Sequence, residues 1–143
     1  MISGGDSYYL SPEQLYYIGE RLLAIPHVKR FRYATKGLAV CPSRILDLTD
    51  TWTSALIAIS DMGKKVGKAV ALHTHFNHPN EITWTTQHAA QKLFEKGVTV
   101  RNQTVLLRGV NDDVSTMKRL IISLADMNIQ PVRALHDTQL PVD

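Results

Sequence analysis

The sequence predicts an α/β domain built on a parallel β-sheet, because extended and helical patterns alternate along the chain. Val70–His75 is short and apolar before it turns polar, which is typical of a buried parallel strand that ends at a functional edge. Val98–Leu107 is a second extended stretch, and it follows a helical pattern closed by Gly97. Single helices between strands require right-handed crossovers, so neighbouring strands are expected to run parallel.

The N-terminal part predicts a helix and then a strand. Ser11–Gln14 has the pattern of a capping box, and the helix it opens is expected to end near Pro26. The next strand is expected over Val28–Thr35, with Arg30 and Arg32 on one side and Phe31 and Tyr33 on the other.

The remaining elements follow from helical periodicity and capping signals. One helix is expected over Ser43–Met62 and another over Thr83–Lys96, and a third is capped by Asp112 or Asp113 and runs to about Met127. That last helix should turn Met117, Leu120, Ile121 and Leu124 inward, and a final strand is expected over Ile129–Leu135.

Composition narrows the class of protein. The 143 residues are 44% hydrophobic and 20% charged, which is ordinary for one globular domain. No apolar run approaches the roughly 18 residues of a membrane span, and the first residues lack the pattern of a signal peptide. We therefore expect an intracellular protein, of the cytoplasm or an organellar matrix, with no membrane contact. The basic residues behind the net charge of +3 are scattered, so no nucleic-acid partner is expected.

Cys41 is the single cysteine of the sequence. One thiol excludes an intrachain disulfide and any cysteine-rich zinc or iron–sulfur site built from this chain alone. Cys41 is therefore expected to be a packed thiol.

Several residue strings closely resemble the lysine 2,3-aminomutase family of radical S-adenosylmethionine (SAM) enzymes. The two longest are His75–Thr83, which reads HFNHPNEIT, and Val100–Asp112, which reads VRNQTVLLRGVND. Ile2–Asp6 and Pro42–Ile45 match the same family in the same order, so the resemblance covers about residues 1–131.

The resemblance implies a partial βα barrel of the radical SAM type. The family has six βα units, and this chain would carry strands three to six, without the first strand and its cluster loop. Residues 1–131 would form this partial barrel domain, and residues 132–143 a divergent C-terminal tail. An open sheet edge in such a domain predicts self-association or a partner.

The family is an isomerase that moves an amino group of a small amino acid substrate from C2 to C3, using SAM, a 4Fe–4S cluster and pyridoxal phosphate. The cluster needs three cysteines, and the pyridoxal lysine lies in a glycine-rich C-terminal segment that has no counterpart here. The chain is therefore expected to be a fragment of such an enzyme and inactive when isolated.

The resemblance also assigns cofactor-binding residues. Gly4, Gly5 and Asp6 match the family's Gly-Gly-acid turn, which meets the methionyl ammonium of SAM. Thr35 and Lys36 end the next strand, where the family usually has a hydroxyl residue and an arginine near the cofactor carboxylate and ribose.

His75 is expected to face the adenosyl group, and His78 to be a hydrogen-bonded loop residue. Because Asn102 and Gln103 point to opposite sides of a strand, only one faces the barrel interior, and Gln103 is favoured. Asn111 and Asp112 are expected to be turn and capping residues.

Two other readings remain open. His73 and His75, two apart on a strand, would place two imidazoles on one metal, as in a metal-dependent hydrolase. The second alternative is a non-catalytic fragment that acts through protein interactions.

The position where the family has an acid for the distal ammonium of the substrate is Thr138 in this sequence. Asp137 lies one residue before that position, so no substrate-binding role is assigned to Asp137.

Overall fold

The computed structural model describes residues 6–136, with side chains described as far as residue 132. Gly4, Gly5, Asp137 and Thr138 lie outside the described residues. The elements, in chain order, are a 3-10 turn Ser7–Tyr9, α1 Pro12–Ala24, β1 Arg30–Ala34, α2 Gly37–Val40, α3 Ser43–Leu46, α4 Trp52–Lys65, β2 Ala69–Thr74, a second 3-10 turn Pro79–Glu81, α5 Trp84–Glu95, β3 Thr99–Leu106, α6 Val114–Asp126 and β4 Gln130–His136.

The strands form one parallel sheet in the order β1-β2-β3-β4, which confirms the α/β class and the parallel strands. Because consecutive strands are neighbours and right-handed crossovers are the rule, the connecting helices lie on one face of this sheet. Such a sheet is compatible with part of a βα barrel. The radical SAM type, the numbering of the strands and the division at residue 131 stay predictions, as does association through the open edge of the sheet at β1.

The core lies between the sheet and the helices. Tyr33, Leu72 and Val100, one from each of the first three strands, are buried among apolar helical side chains such as Leu56 and Leu93. The hydroxyl of Tyr33 donates to the carbonyl oxygen of Leu15 at 2.7 Å, so even the polar atom of this core ring is satisfied.

Helix starts follow the expected capping chemistry. The hydroxyl of Ser11 accepts from the amide of Gln14, whose side chain accepts in return from the amide of Ser11, so the predicted capping box is confirmed. Thr83 caps α5, and Asp113 rather than Asp112 caps α6. Hydrogen bonds from the side chains of Thr116 and Ser115 and the backbone of Thr116 lower the pKa of Asp113.

The expected helix over Ser43–Met62 is wrong, because α3 ends at Leu46 and α4 begins only at Trp52. Between them, Asp47 accepts from the amide of Thr49 and Asp50 accepts from the amide of Trp52. These side chains satisfy backbone donors in turns, which replaces the continuous helix.

Two burial expectations also fail. Cys41 is exposed, because it sits in the short link between α2 and α3 rather than beneath a helix. Ile121 is 45% exposed, because the buried stripe of α6 runs through Leu120 and Leu124 and leaves it at the edge.

None of the helices within residues 6–136 combines the length and the apolar character needed to cross a bilayer.

Candidate functional site

The carboxyl ends of the strands carry a network of polar contacts, called here the rim, formed by Asp6, Lys36, Glu81, Asn77 and Asn111. Parallel strands bring the loops after β1, β2 and β3 to one edge, so residues far apart in sequence meet there. Each of these side chains forms a hydrogen bond with a neighbouring segment.

Asp6 joins the N-terminal turn to the loop after β1. Its Oδ1 accepts from the amide of Tyr8 and its Oδ2 from the amide of Lys36, each at 2.9 Å. The carboxylate thus caps two backbone donors, which fixes where the segment before α1 meets the end of β1.

Thr35 is buried, and its hydroxyl oxygen accepts from the amide of Gly37 at 2.7 Å. Its own amide donates to the carbonyl oxygen of His73 at 2.9 Å, which continues the β1–β2 ladder beyond the strand. The side chain of Thr35 therefore shapes the loop that presents Lys36.

Lys36 is held between two elements. Its Nζ donates to Oε1 of Glu81 at 2.7 Å and to the carbonyl oxygen of His75 at 3.1 Å. The ion pair is partly solvated, with 40% of the lysine side chain and 27% of the glutamate side chain exposed. Lys36 thus links the loop after β1 to the loop after β2.

Glu81 is the acceptor at the centre of the rim. Its Oε2 accepts from the amides of Asn77 at 2.5 Å and His78 at 3.1 Å, in addition to the Lys36 ion pair. Burial by itself raises the pKa of this carboxyl, but the hydrogen bonds from Lys36, Asn77 and His78 lower it overall. Glu81 is therefore a charged acceptor that fixes the loop bearing His75.

Asn77 and Asn111 extend the rim to the loop after β3. Oδ1 of Asn77 accepts from the amide of Val105 at 3.0 Å. Nδ2 of Asn111 donates to the carbonyl oxygens of Asn77 at 2.7 Å and Val105 at 2.8 Å, and Oδ1 accepts from the amide of Leu107 at 2.6 Å. Asn111 is fully buried, so it is a bridge between loops rather than the simple turn residue expected.

The side chains of Asn102 and Gln103 lie on opposite sides of β3, as strand alternation predicts. Asn102 is buried, accepts from the amide of Phe76 at 2.7 Å and donates to the carbonyl oxygen of Phe76 at 3.0 Å. Gln103 is half-buried on the opposite side of β3, and within residues 6–136 its side chain makes no hydrogen bond. Gln103 is thus the member of the pair whose amide is available to a ligand.

The histidines fall in different environments. Nδ1 of His78 accepts from the amide of Asn80 at 3.1 Å, which confirms the expected hydrogen-bonded loop residue. His75 is half-buried beside Lys36. His73 is buried, with its Nδ1 3.2 Å from Nη1 of Arg32.

The proposed two-histidine metal site has no support. Across residues 6–136, no group of three or more His, Cys, Asp or Glu side chains is arranged to hold a metal ion. A cation beside His73 would also meet the positive charges of Arg32 and Arg101, which both lower the pKa of that imidazole.

Thr35, Lys36 and His75 are predicted from the sequence to lie at the carboxyl ends of their strands, and the structure brings them together there. Glu81 and Asn77 have no predicted role, although both stand in the HFNHPNEIT string. An acid following Asn-His-Pro at the end of a predicted strand is the signal that points to a capping role, but its partner Lys36 is remote in sequence.

Comparison with known proteins gives a consistent set of relatives, and no family model matches. The chain is 44% identical over 131 residues to L-lysine 2,3-aminomutase of Clostridium subterminale, which covers 92% of this chain and 29% of that protein. L-lysine 2,3-aminomutase of Fusobacterium nucleatum is 40% identical over 92% of the chain and 28% of its own length. Glutamate 2,3-aminomutase of Clostridioides difficile is 37% identical, again over 92% of the chain and 28% of its own length. The chain thus spans less than a third of the length of these relatives.

Proposed function

We propose, on the premise that this chain is homologous to a segment of the L-lysine 2,3-aminomutases, that it forms one side of the cofactor site of an amino acid 2,3-aminomutase. The observation that carries the proposal is the meeting of Lys36 and His75 at the rim, where Nζ of Lys36 binds the carbonyl oxygen of His75. Ligands of parallel α/β sheets bind at this end of the strands.

Within this proposal, His75 and Gln103 contact SAM. The imidazole of His75 offers a flat ring and a hydrogen-bonding nitrogen, and the amide of Gln103 offers both a donor and an acceptor to an adenine edge. The free amide of Gln103 supports this role, because within residues 6–136 no protein group uses it.

Asp6, Thr35 and Lys36 act by positioning. The carboxylate of Asp6 accepts from two backbone amides, the hydroxyl of Thr35 is buried in its own loop, and Lys36 is paired with Glu81. Gly4 and Gly5 lie outside the described residues, and their assignment to the methionyl ammonium rests on the family resemblance alone.

The fit of the iron–sulfur cluster is poor. A 4Fe–4S cluster is held by cysteine thiolates, and this chain has the single Cys41, which is exposed in the α2–α3 link. The residues of this chain therefore do not fit a 4Fe–4S cluster. Pyridoxal phosphate has no anchor at the rim either, because Lys36 is engaged by Glu81 and His75.

When bound, SAM supplies radical chemistry in the enzymes that the sequence resembles. This chain contributes the surface that orients the cofactor, and the thiolates for its reductive cleavage come from another polypeptide segment. The substrate class is an amino acid, as the names of the relatives indicate for those proteins.

Calorimetric titration with SAM tests the cofactor role. The variants H75A and Q103A should weaken binding by at least about fivefold, as expected for the loss of a hydrogen-bonded contact. H27A and Q91A are matched controls, since His27 and Gln91 are exposed and away from the rim, and they should bind within about twofold of the unmodified chain. Failure of the unmodified chain to bind SAM, or equal weakening by all variants, would overturn the proposal.

Anaerobic reconstitution with iron and sulfide tests whether the thiolates of the cluster come from another polypeptide segment. The isolated chain should give no stoichiometric cluster absorbance, because one thiolate cannot hold four irons. A stoichiometric cluster signal would contradict the assignment of the cluster to another segment.

A further inference from the structure

The outer side of α6 carries a large apolar residue. Leu120 and Leu124 are the buried residues of this helix and belong to the core. At about 3.6 residues per turn, Ile122 lies on the side of the helix directly opposite to them. Its side chain is 49% exposed. A single exposed apolar residue is common on protein surfaces, so Ile122 indicates an interface only together with its surroundings.

Two opposite charges flank Ile122 on the same side of α6. Arg119 lies about one turn before it and Asp126 about one turn after it, and both are exposed. Among residues 6–132, whose side chains are described, neither of these two side chains forms an ion pair or a hydrogen bond. The helix therefore presents two separate charges of opposite sign, about 10 Å apart along its axis.

A cleft of about 350 Å³ adjoins this side of α6 and separates it from α5. The side chains that line the cleft are those of Gln87, His88, Gln91, Ser123, Asp126 and Met127. Met127 is buried and gives the cleft an apolar wall. Because a cavity of about 150 Å³ can hold a benzene molecule, the cleft has room for one isoleucine side chain.

A second copy of the chain carries the complementary charges. The midpoint between Arg119 and Asp126 falls beside Ile122. When two copies of α6 pack antiparallel about a two-fold axis at this midpoint, Arg119 of each copy lies opposite Asp126 of the other. The same symmetry sets Lys118 opposite Met127, so it brings no two like charges of α6 together.

We infer that the outer side of α6 and the adjoining cleft form the interface of a two-fold symmetric homodimer, with Ile122 of each copy in the cleft of the other. Two reciprocal Arg119–Asp126 ion pairs set the antiparallel direction, because a parallel pairing in register would oppose like charges. The interface uses no residue of the rim and no sheet edge, so it does not depend on the proposed aminomutase function. One helix of 13 residues makes a small interface, so the dimer is expected to be weak and reversible.

Sedimentation equilibrium of the full chain, from about 10 µM to about 500 µM, measures the association. The expected result is a mass that rises reversibly with concentration from that of one chain, 16.0 kDa, toward twice that value. The dissociation constant should also rise with salt, because salt screens exposed ion pairs. A chain that stays monomeric across this range would show that the interface does not form.

Charge exchange tests the geometry, since each substitution enters the symmetric dimer twice. R119D sets carboxylates against Asp126 and D126R sets guanidinium groups against Arg119, so each variant should weaken association at least about tenfold. The double variant R119D/D126R exchanges the two charges and should recover the dissociation constant of the unmodified chain to within about threefold. I122S should weaken association at least about fivefold, because it removes the apolar side chain from the cleft.

K65D and E20R are matched controls. They make the same changes of net charge at exposed positions of α4 and α1, and should leave the dissociation constant within about twofold. Circular dichroism should show the same helix content for every variant, because none of the substituted residues is buried. Association that survives both R119D and I122S, a double variant as weak as the single ones, or controls as weak as R119D would rule out this interface.

Discussion

Nζ of Lys36 lies 2.7 Å from Oε1 of Glu81, and this pair ties the loop after β1 to the loop after β2. Glu81 also accepts from the amides of Asn77 and His78, so one carboxylate organises the whole β2–α5 connection. Lys36 in turn reaches the carbonyl oxygen of His75. The Lys36–Glu81 pair and the backbone carbonyl of His75 therefore belong to one hydrogen-bonded network.

Removing the Glu81 carboxylate should destabilise the rim. E81A leaves the amides of Asn77 and His78 without their acceptor and should lower the free energy of unfolding by about 1–3 kcal/mol, measured by urea titration. E81Q retains an acceptor oxygen and should lower the free energy of unfolding by less than E81A does. D61N is the matched control, because the Lys64–Asp61 pair is half exposed at both ends, and it should change stability by less than about 0.5 kcal/mol. A loss for E81A no larger than that for D61N would contradict the role of Glu81.

Asn111 should be among the least replaceable polar residues of the chain. N111A removes a fully buried side chain that makes three hydrogen bonds to backbone atoms, and should cost about 2–4 kcal/mol in the free energy of unfolding. N80A, at an exposed position, should be nearly neutral. Chemical denaturation of both variants checks this, and equal stabilities would show that the bridge between the loops is dispensable.

Stability should fall in acid partly through His73. Its pKa is about 4 in the folded protein and 6.5 in the ordinary reference state, so the unfolded chain takes up this proton first as pH falls. The contribution is complete above about pH 6.5 and is lost between about pH 6.5 and pH 4, and amounts to on the order of 1–3 kcal/mol. H73N should remove this component, so its stability should drop less than that of the unmodified chain between about pH 7 and pH 4.5. Parallel pH profiles for the two proteins would refute the assignment.

Gly37 should not tolerate a side chain. A Cβ at this position would overlap the ring of Tyr8, which packs edge-on against Trp52 at 4.8 Å between ring centroids. G37A should therefore cost about 1–3 kcal/mol through displacement of Tyr8. G67A is the comparison, because a Cβ there meets no neighbour and its cost comes from the positive φ of 68° alone, about 1 kcal/mol. Near-ultraviolet circular dichroism of the aromatic cluster should change in G37A and not in G67A.

The sequence by itself determined the class of fold, because alternation between helical and extended patterns and a complete capping box at Ser11 are local properties. It also determined that Asn102 and Gln103 face opposite sides of β3, since strand alternation needs no tertiary information. The similar strings around His75 and Gln103 identified the relatives.

Only the tertiary structure decided what these residues contact. The Lys36–Glu81 pair joins positions 45 residues apart, and the bridge from Asn111 to Asn77 spans 34 residues, so neither leaves a local signature. The break between α3 and α4 came from carboxylates that satisfy backbone donors, which competes with helix formation in a way that apolar periodicity does not record. The charge around His73 was likewise set by strand register, because Arg32 and Arg101 reach it only when β1 and β3 pair on either side of β2.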